Sequence, residues 1–263
     1  MNILKRELAP ITEEGWAEID EQAKDVLENH LTARKVVDVS GPEGWDFAAV
    51  NEGRLDIKEE DKEEVRYGLR QVKPLVESRV SFTLNTWELD NAVRGAEDVD
   101  LEPLEEALAK AASFEEKAIY YGLEEAGIEG LEKSSKDSVT LPTDSEEIME
   151  SLSRSVTSFI DASIEGPYAL VLSEELWRGL NKSGRGYPLK RRIADLVEGP
   201  IVYSPAVEDG FLLSTRGGDM ELILGQDFSI GYENHDHKTV TLFATESFTF
   251  RVLEPGAVLK IES

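Results

Sequence analysis

The chain has 263 residues, 40% of them hydrophobic, enough to bury a sizeable core in one large domain or two intertwined ones. Its 54 acidic against 28 basic residues leave a formal charge of −26, which argues against a phosphate-backbone partner such as nucleic acid. With no cysteine and no apolar run of ~18 residues, disulfides, thiolate metal sites, cysteine catalysis and a membrane-spanning helix are excluded. The first eight residues carry charges inside their apolar stretch, unlike a secretory signal, so a cytoplasmic location is the expectation. The acid excess has two readings: plain solubility, or an acidic surface presented by many packed copies.

Residues 3–11 form an apolar-punctuated arm ending near Pro10, which either folds back or lies on a neighbour. Thr12 is an N-cap candidate followed by Glu13 and Glu14. Trp16, Ile19, Ala23, Val26, Leu27 and Leu31 then keep helical spacing, predicting an amphipathic helix over 12–32. Alternation and β-branching predict a strand over 34–40. Residues 50–72 are highly charged and read as a protruding loop or hairpin, or else a solvated surface turn.

Val80, Phe82 and Leu84 alternate with polar residues as in a strand, and Asn85 or Thr86 can cap a short helix carrying Trp87. Asp100 precedes a long helix with a stripe of Leu101, Leu104, Leu108, Ala111, Ala112, Ile119 and Leu123, expected to end at Gly127 and Gly130. The polar stretch 132–145, with Pro142, reads as a domain change. Beyond it come a helix capped by Asp144 or Ser145, a strand at 168–172, a helix capped by Ser173, a flexible loop at 181–186, and a helix opened by Pro188. From Ile201 onward the chain is mostly β, and Arg216-Gly-Gly218 is a hairpin signal between strands at 210–215 and 219–224.

Chemistry is sparse. Of three histidines, His235 and His237 sit beside Glu233 in what reads as an exposed polar turn, and His30 closes the first helix, so no metal site is assigned. Gly217-Gly218 lacks the Lys-Ser/Thr of a phosphate loop, and no nucleophile and base can be paired from spacing. No catalytic residue is assigned, and an enzyme is not expected.

Five stretches in order carry a resemblance: Leu4-Lys-Arg-Glu-Leu-Ala-Pro10, Gly41-Pro-Glu-Gly-Trp45, Phe82-Thr-Leu-Asn-Thr-Trp-Glu-Leu-Asp90, Ile164-Glu-Gly-Pro-Tyr168, and the run from Arg216 to Tyr232. Together they resemble the encapsulin shell proteins of family 1, earlier labelled linocin-type bacteriocins. The match reaches the Phe-Thr-Phe strand at 248–250, so it spans essentially the whole chain.

The resemblance implies an α+β phage major capsid fold of the Hong Kong 97 type. It implies a peripheral domain (1–47, 74–134 and 226–254), an extended loop (48–73) and an axial domain (135–225, with 255–263 returning to it). Subunits of such a shell would close into an icosahedron of about sixty copies in its smallest form. The shell would enclose a ferritin-like iron-storage protein or a dye-decolourising peroxidase through the cargo's C-terminal targeting peptide. The residues carried over to the peptide groove are Leu27, Leu31, Arg34, Val36, Asp38, Ile230 and Tyr232; ordinary core is the competing reading for the aliphatic ones. Asn181, Lys182, Ser183, Gly184, Arg185 and Gly186 would rim the five-fold pore. No cofactor is required, but some members bind a flavin, FMN or another, against the matching tryptophan. Here that is Trp87, with Arg79 and Tyr187 as its partners, and an interface anchor is the rival reading. A flavin-binding shell and a phage capsid remain the alternatives to a plain nanocompartment shell.

Overall fold

The computed structural model describes residues 2–58, 65–181 and 188–262. The first helix, α1 (Glu13–His30), begins where the Thr12 hydroxyl accepts the Gly15 N–H at 3.1 Å, and it buries Ile19, Ala23 and Val26. It closes at His30, whose Nδ1 hydrogen-bonds the Val26 carbonyl. The strand expected over 34–40 forms only at its end, as β1 (Asp38–Ser40). Ala33–Lys35 is a 3-10 turn instead, because its backbone and side chains are captured by buried carboxyls of another helix.

Next, β2 (Ala49–Lys58) and β3 (Tyr67–Pro74) pair antiparallel as a two-stranded ribbon. The ladder slips between Asn51 and Leu55, where Gly53 supplies a positive φ of 71°. The charged segment 59–64 lies outside the described residues. Strand β4 (Val76–Asn85) runs straight into α2 (Thr86–Val93), capped by the Asn85 side-chain Oδ1, which accepts the Trp87 N–H at 2.9 Å.

The long helix α3 (Glu102–Tyr121) stops earlier than its leucine stripe suggests. It stops at Gly122, with φ 90°, where a Cβ would meet the Ile128 and Glu129 carbonyls at 2.6 Å. That close approach lets Leu123 and Ile128 pair before the short α4 (Gly130–Ser134). There follow β5 (Ser138–Thr140), α5 (Ser145–Asp161) capped by Asp144, β6 (Tyr168–Leu172), and α6 (Glu174–Leu180) capped by Ser173. The chain continues through α7 (Leu189–Val197), β7 (Ile201–Tyr203), β8 (Gly210–Ser214), β9 (Met220–His235), β10 (Thr239–Val252) and β11 (Val258–Glu262).

The strands make three sheets: four-stranded β1-β9-β10-β4, five-stranded β5-β11-β8-β6-β7, and the β2-β3 ribbon. The hairpin signal at Arg216–Gly218 is therefore overturned. Strand β8 pairs with β6 and β11, while β9 pairs with β1 and β10, so the segment carries the chain from one sheet to the other. Arg216 fixes that crossover. Its Nε and Nη2 donate to the two Asp219 oxygens at 2.9 Å and its Nη1 to the Ser163 carbonyl, while Asp38 accepts the Gly218 N–H.

All five residues of β6 and of β8 are buried, which explains their unbroken apolar or small sequences. One face of their sheet carries α5 and α7 through Leu152, Ile193 and Val197. The other contributes Val171, Phe211 and Leu213 to a core shared with α3, α4 and the four-stranded sheet. At the far end, α1, α2 and the start of α3 cover β4, β9 and β10 through Ile19, Leu84, Leu104 and Leu242.

Candidate functional site

The arm folds back on its own subunit. Tyr232 donates its backbone N–H to the Leu4 carbonyl at 2.7 Å, and Arg6 pairs with Asp20 at 2.7 Å over the Trp16 ring. This places Leu4 and Arg6 at the edge of a groove of about 720 Å³ between α1, the 3-10 turn and β9. Leu27, Leu31, Arg34 and Ile230, all expected there, line it. Ala23 and Leu108 extend the apolar floor; Asp20, Lys24, Glu28, Lys35 and Asp227 add charges, and Phe228 and Ser229 complete the β9 side. The α1 members were detectable in the sequence, since Asp20, Ala23, Lys24, Leu27 and Leu31 recur at three- and four-residue steps.

Three expected residues lie elsewhere. Val36 is buried in the central core. Asp38 holds the Gly218 N–H beside a separate cavity of about 200 Å³. Tyr232 anchors the arm by its backbone, with its hydroxyl hydrogen-bonded to His235 Nδ1 at 2.5 Å. The strand expected over 34–40 begins only at Asp38, because the chain turns at Ala33–Lys35, so Val36 and Asp38 do not continue from Arg34 along one strand face.

Arg34 is the centre of a buried ion cluster. Its Nε and Nη2 fork onto Glu115 of α3, Nη1 donates to Asp227 at 2.9 Å, and Nη2 also reaches Glu246 of β10. Burial acts to lower the guanidinium pKa, but Glu115, then Glu246 and Asp227, outweigh it and hold the group above its ordinary value. Glu115 and Glu246 are fully buried. Glu246 sits at an irregularity in the β9–β10 ladder and its Oε2 has no partner. Burial, the charge of Glu115 and a hydrogen bond with Glu115 push its pKa well above the usual carboxylate range, against the lowering effect of Arg34.

The next residue, Glu116, grips the same turn. Its carboxyl accepts the Ala33 N–H at 2.7 Å and meets the Thr32 and Ser204 hydroxyls. Among the described residues no cation touches it, and burial pushes its pKa up to about 7. Neither Glu115 nor Glu116 was singled out from the sequence, because adjacent acids on a helix look like a solvated face.

The remaining expected residues are scattered. Trp87 is 71% exposed on α2. Arg79 lies six positions before Asn85 on β4, about 20 Å of strand away. Its guanidinium rests 4.1 Å from the Phe243 ring and 3.6 Å from Glu77. Within one protomer Arg79 and Trp87 therefore stand far apart along β4 and α2. Tyr187 and Lys182–Gly186 lie outside the described residues, and Asn181 caps the end of α6. His235 and His237 belong to the β9–β10 turn, in which Asp236 accepts the Lys238 and Thr239 N–H groups. Among the described residues, no three His, Cys, Asp or Glu side chains gather as metal ligands, and no helix is long and apolar enough to cross a membrane.

The architecture has known counterparts. A virus-like particle from Pyrococcus furiosus superposes with a TM-score of 0.68 at 16% identity, over 94% of this chain and 99% of that one. The capsid of Myoviridae phage XM1 superposes with a TM-score of 0.57 at 11% identity, covering 89% and 92% of the two chains. This α+β arrangement is the phage capsid fold of the Hong Kong 97 type.

Sequence comparison carries the assignment to a family. Residues 1–249 match the family described as encapsulating protein for peroxidase. The type 1 encapsulin shell protein of Rhodospirillum rubrum is 42% identical over 270 residues, covering 99% of this chain and 96% of the relative. That of Mycobacterium tuberculosis is 43% identical over 253 residues, covering 95% of each. The chain belongs to the encapsulin shell protein family, and it builds a self-assembling, multi-subunit shell.

Proposed function

We propose that the shell encloses an enzyme whose C-terminal peptide docks in the groove between α1 and β9. The observation that carries this reading is the groove's composition: an apolar floor of Ala23, Leu27, Leu31, Leu108 and Ile230, rimmed by charges of both signs. An extended peptide buries alternate side chains on such a floor, and the rim fixes its direction. The family's description supports a peroxidase as cargo. A ferritin-like iron-storage protein is the other candidate, and the groove's chemistry suits either tail. The shell acts by assembly and enclosure rather than by catalysis.

The assembly proposed is the smallest icosahedron, sixty copies of a 29.3 kDa chain or about 1.8 MDa. The β2–β3 ribbon supports assembly. Leu55, Ile57, Tyr67 and Leu69 are all exposed on it, and the ladder register puts Leu55 and Ile57 on one face, Tyr67 and Leu69 on the other. Both faces of the ribbon therefore need cover from neighbours.

Co-expression with a fluorescent protein bearing the C-terminal tail of a peroxidase tests the cargo reading. The wild-type shell retains the fluorescence through gel filtration, and Leu27→Glu and Ala23→Trp shells, still assembled, do not. Equal loading of wild type and both variants overturns the groove as the docking site.

A further inference from the structure

The groove ends at a turn held by two adjacent carboxyls of one helix, and neither has an ordinary solvent-facing role. Glu116 meets the turn through the Ala33 N–H and the Thr32 hydroxyl. Glu115 meets it through the Arg34 guanidinium, which also reaches Asp227 and Glu246. The groups facing this turn are thus Glu115, Glu116 and Tyr120 from α3, Asp227 from β9, Glu246 from β10, and Ser204 from the loop after β7. Four are carboxyls, one is a phenol and one a hydroxyl, and among the described residues the cation they meet is Arg34 of the turn itself.

This set cannot ionise fully at low cost. Arg34 has five N–H groups, and four are spent on Glu115, Asp227 and Glu246. Glu246 still has a buried oxygen without a partner, and Glu116 has only hydroxyls and one amide around it. A further negative charge here is desolvated and uncompensated. As neutral acids, Glu246 can donate to Glu115 and Glu116 can donate to a hydroxyl while still accepting the Ala33 N–H.

We propose that the Thr32–Arg34 turn is a proton-controlled latch at the end of the groove, closed while Glu116 and Glu246 are protonated and loosened as they ionise. The latch itself does not depend on cargo. Its consequence, that the groove changes shape as pH rises past neutral, rests on the docking reading above, since Leu31 and Arg34 both line the groove. The direction follows from burial: each acid is more basic in the folded turn than in an open, hydrated one, so opening releases protons and alkali favours it.

Hydrogen–deuterium exchange on empty assembled shells tests the latch without any peptide. The Ala33 amide is the reporter, because its partner is the Glu116 carboxyl. After correction for intrinsic exchange, protection of the segment containing Ala33 falls about tenfold or more between about pH 6 and about pH 9 in the wild type. Glu116→Gln and Glu246→Gln, each an uncharged mimic of the acid, are made singly so that either can report if the other fails to assemble. Each flattens that slope. A wild-type segment whose corrected protection is independent of pH overturns the latch, as does an assembled variant that keeps the full slope. Loading of tagged cargo at one fixed pH tests the docking reading separately.

Discussion

Arg34 and Glu246 lie 212 residues apart in the chain, yet the guanidinium donates to the Glu246 carboxyl behind the groove. The same Nη2 reaches Glu115, so one cation ties the turn after α1 to both α3 and β10. Beyond the apolar core between them, this one side chain also joins the turn after α1 to α3, β9 and β10, and it faces the groove.

Replacing Arg34 leaves Glu115 buried without its cation and removes the guanidinium donor from Glu246. Arg34→Met is expected to cost about 3–5 kcal/mol of stability. Arg34→Lys is also expected to destabilise, because a point-like ammonium cannot span three carboxyls as a planar fork does. Thermal unfolding of the assembled shells reads both, and a melting temperature unchanged in Arg34→Met refutes the cluster's structural role.

Glu116 gives stability a pH dependence whose sign is fixed. Its folded pKa of about 7 lies above the ordinary 4.5, so the native state binds the extra proton and stability falls as pH rises through this window. The loss across it is about 3 kcal/mol. Glu116→Gln should abolish that part of the slope, seen as denaturation midpoints that differ less between about pH 5 and about pH 7.5 than in the wild type. A wild-type curve rising over this range contradicts the assignment.

The ribbon separates assembly from folding. Leu55 and Leu69 are 56% and 57% exposed, so Leu55→Asp and Leu69→Asp cost the isolated fold little. In a shell each would bury a charge in a contact. The expected outcome is a folded protein by circular dichroism that no longer sediments as a megadalton particle. Wild-type particles from either variant would show that this side of the ribbon stays uncovered.

Arg216 should matter for the crossover between sheets. Arg216→Ala removes the fork onto Asp219 and the bond to the Ser163 carbonyl. Asp219 is buried, so the loss is expected at about 1.5–3 kcal/mol. Chemical unfolding measures it, and restoration of stability by the further change Asp219→Asn would support the unpaired acid as the cause.

Much of the local structure was legible because its signals are local. Thr12, Asn85, Asp144 and Ser173 each cap the helix that the residues after them predict. The apolar run at 168–172 forms a wholly buried strand, and the charged stretch 50–72 contributes to the paired strands β2 and β3. The early end of α3 was not legible. Its leucine stripe continues past Gly122, and only the returning Ile128–Gly130 backbone excludes a side chain there. The turn at Ala33–Lys35 was missed for a similar reason: Val36 and Val37 favour a strand, and carboxyls 81 and 83 residues away override them.

By itself the sequence determined the kind of chain this is: acidic, cysteine-free, with capped helices, alternating strands and five ordered motifs of a shell protein. Those properties depend on neighbours along the chain, where periodicity and capping act. The tertiary structure alone decided which strands share a sheet, which groove residues face one another, and that Glu115, Glu116 and Glu246 surround one turn. Burial and charge pairing are made between distant segments, and no local pattern marks an acid for the interior until its partners arrive.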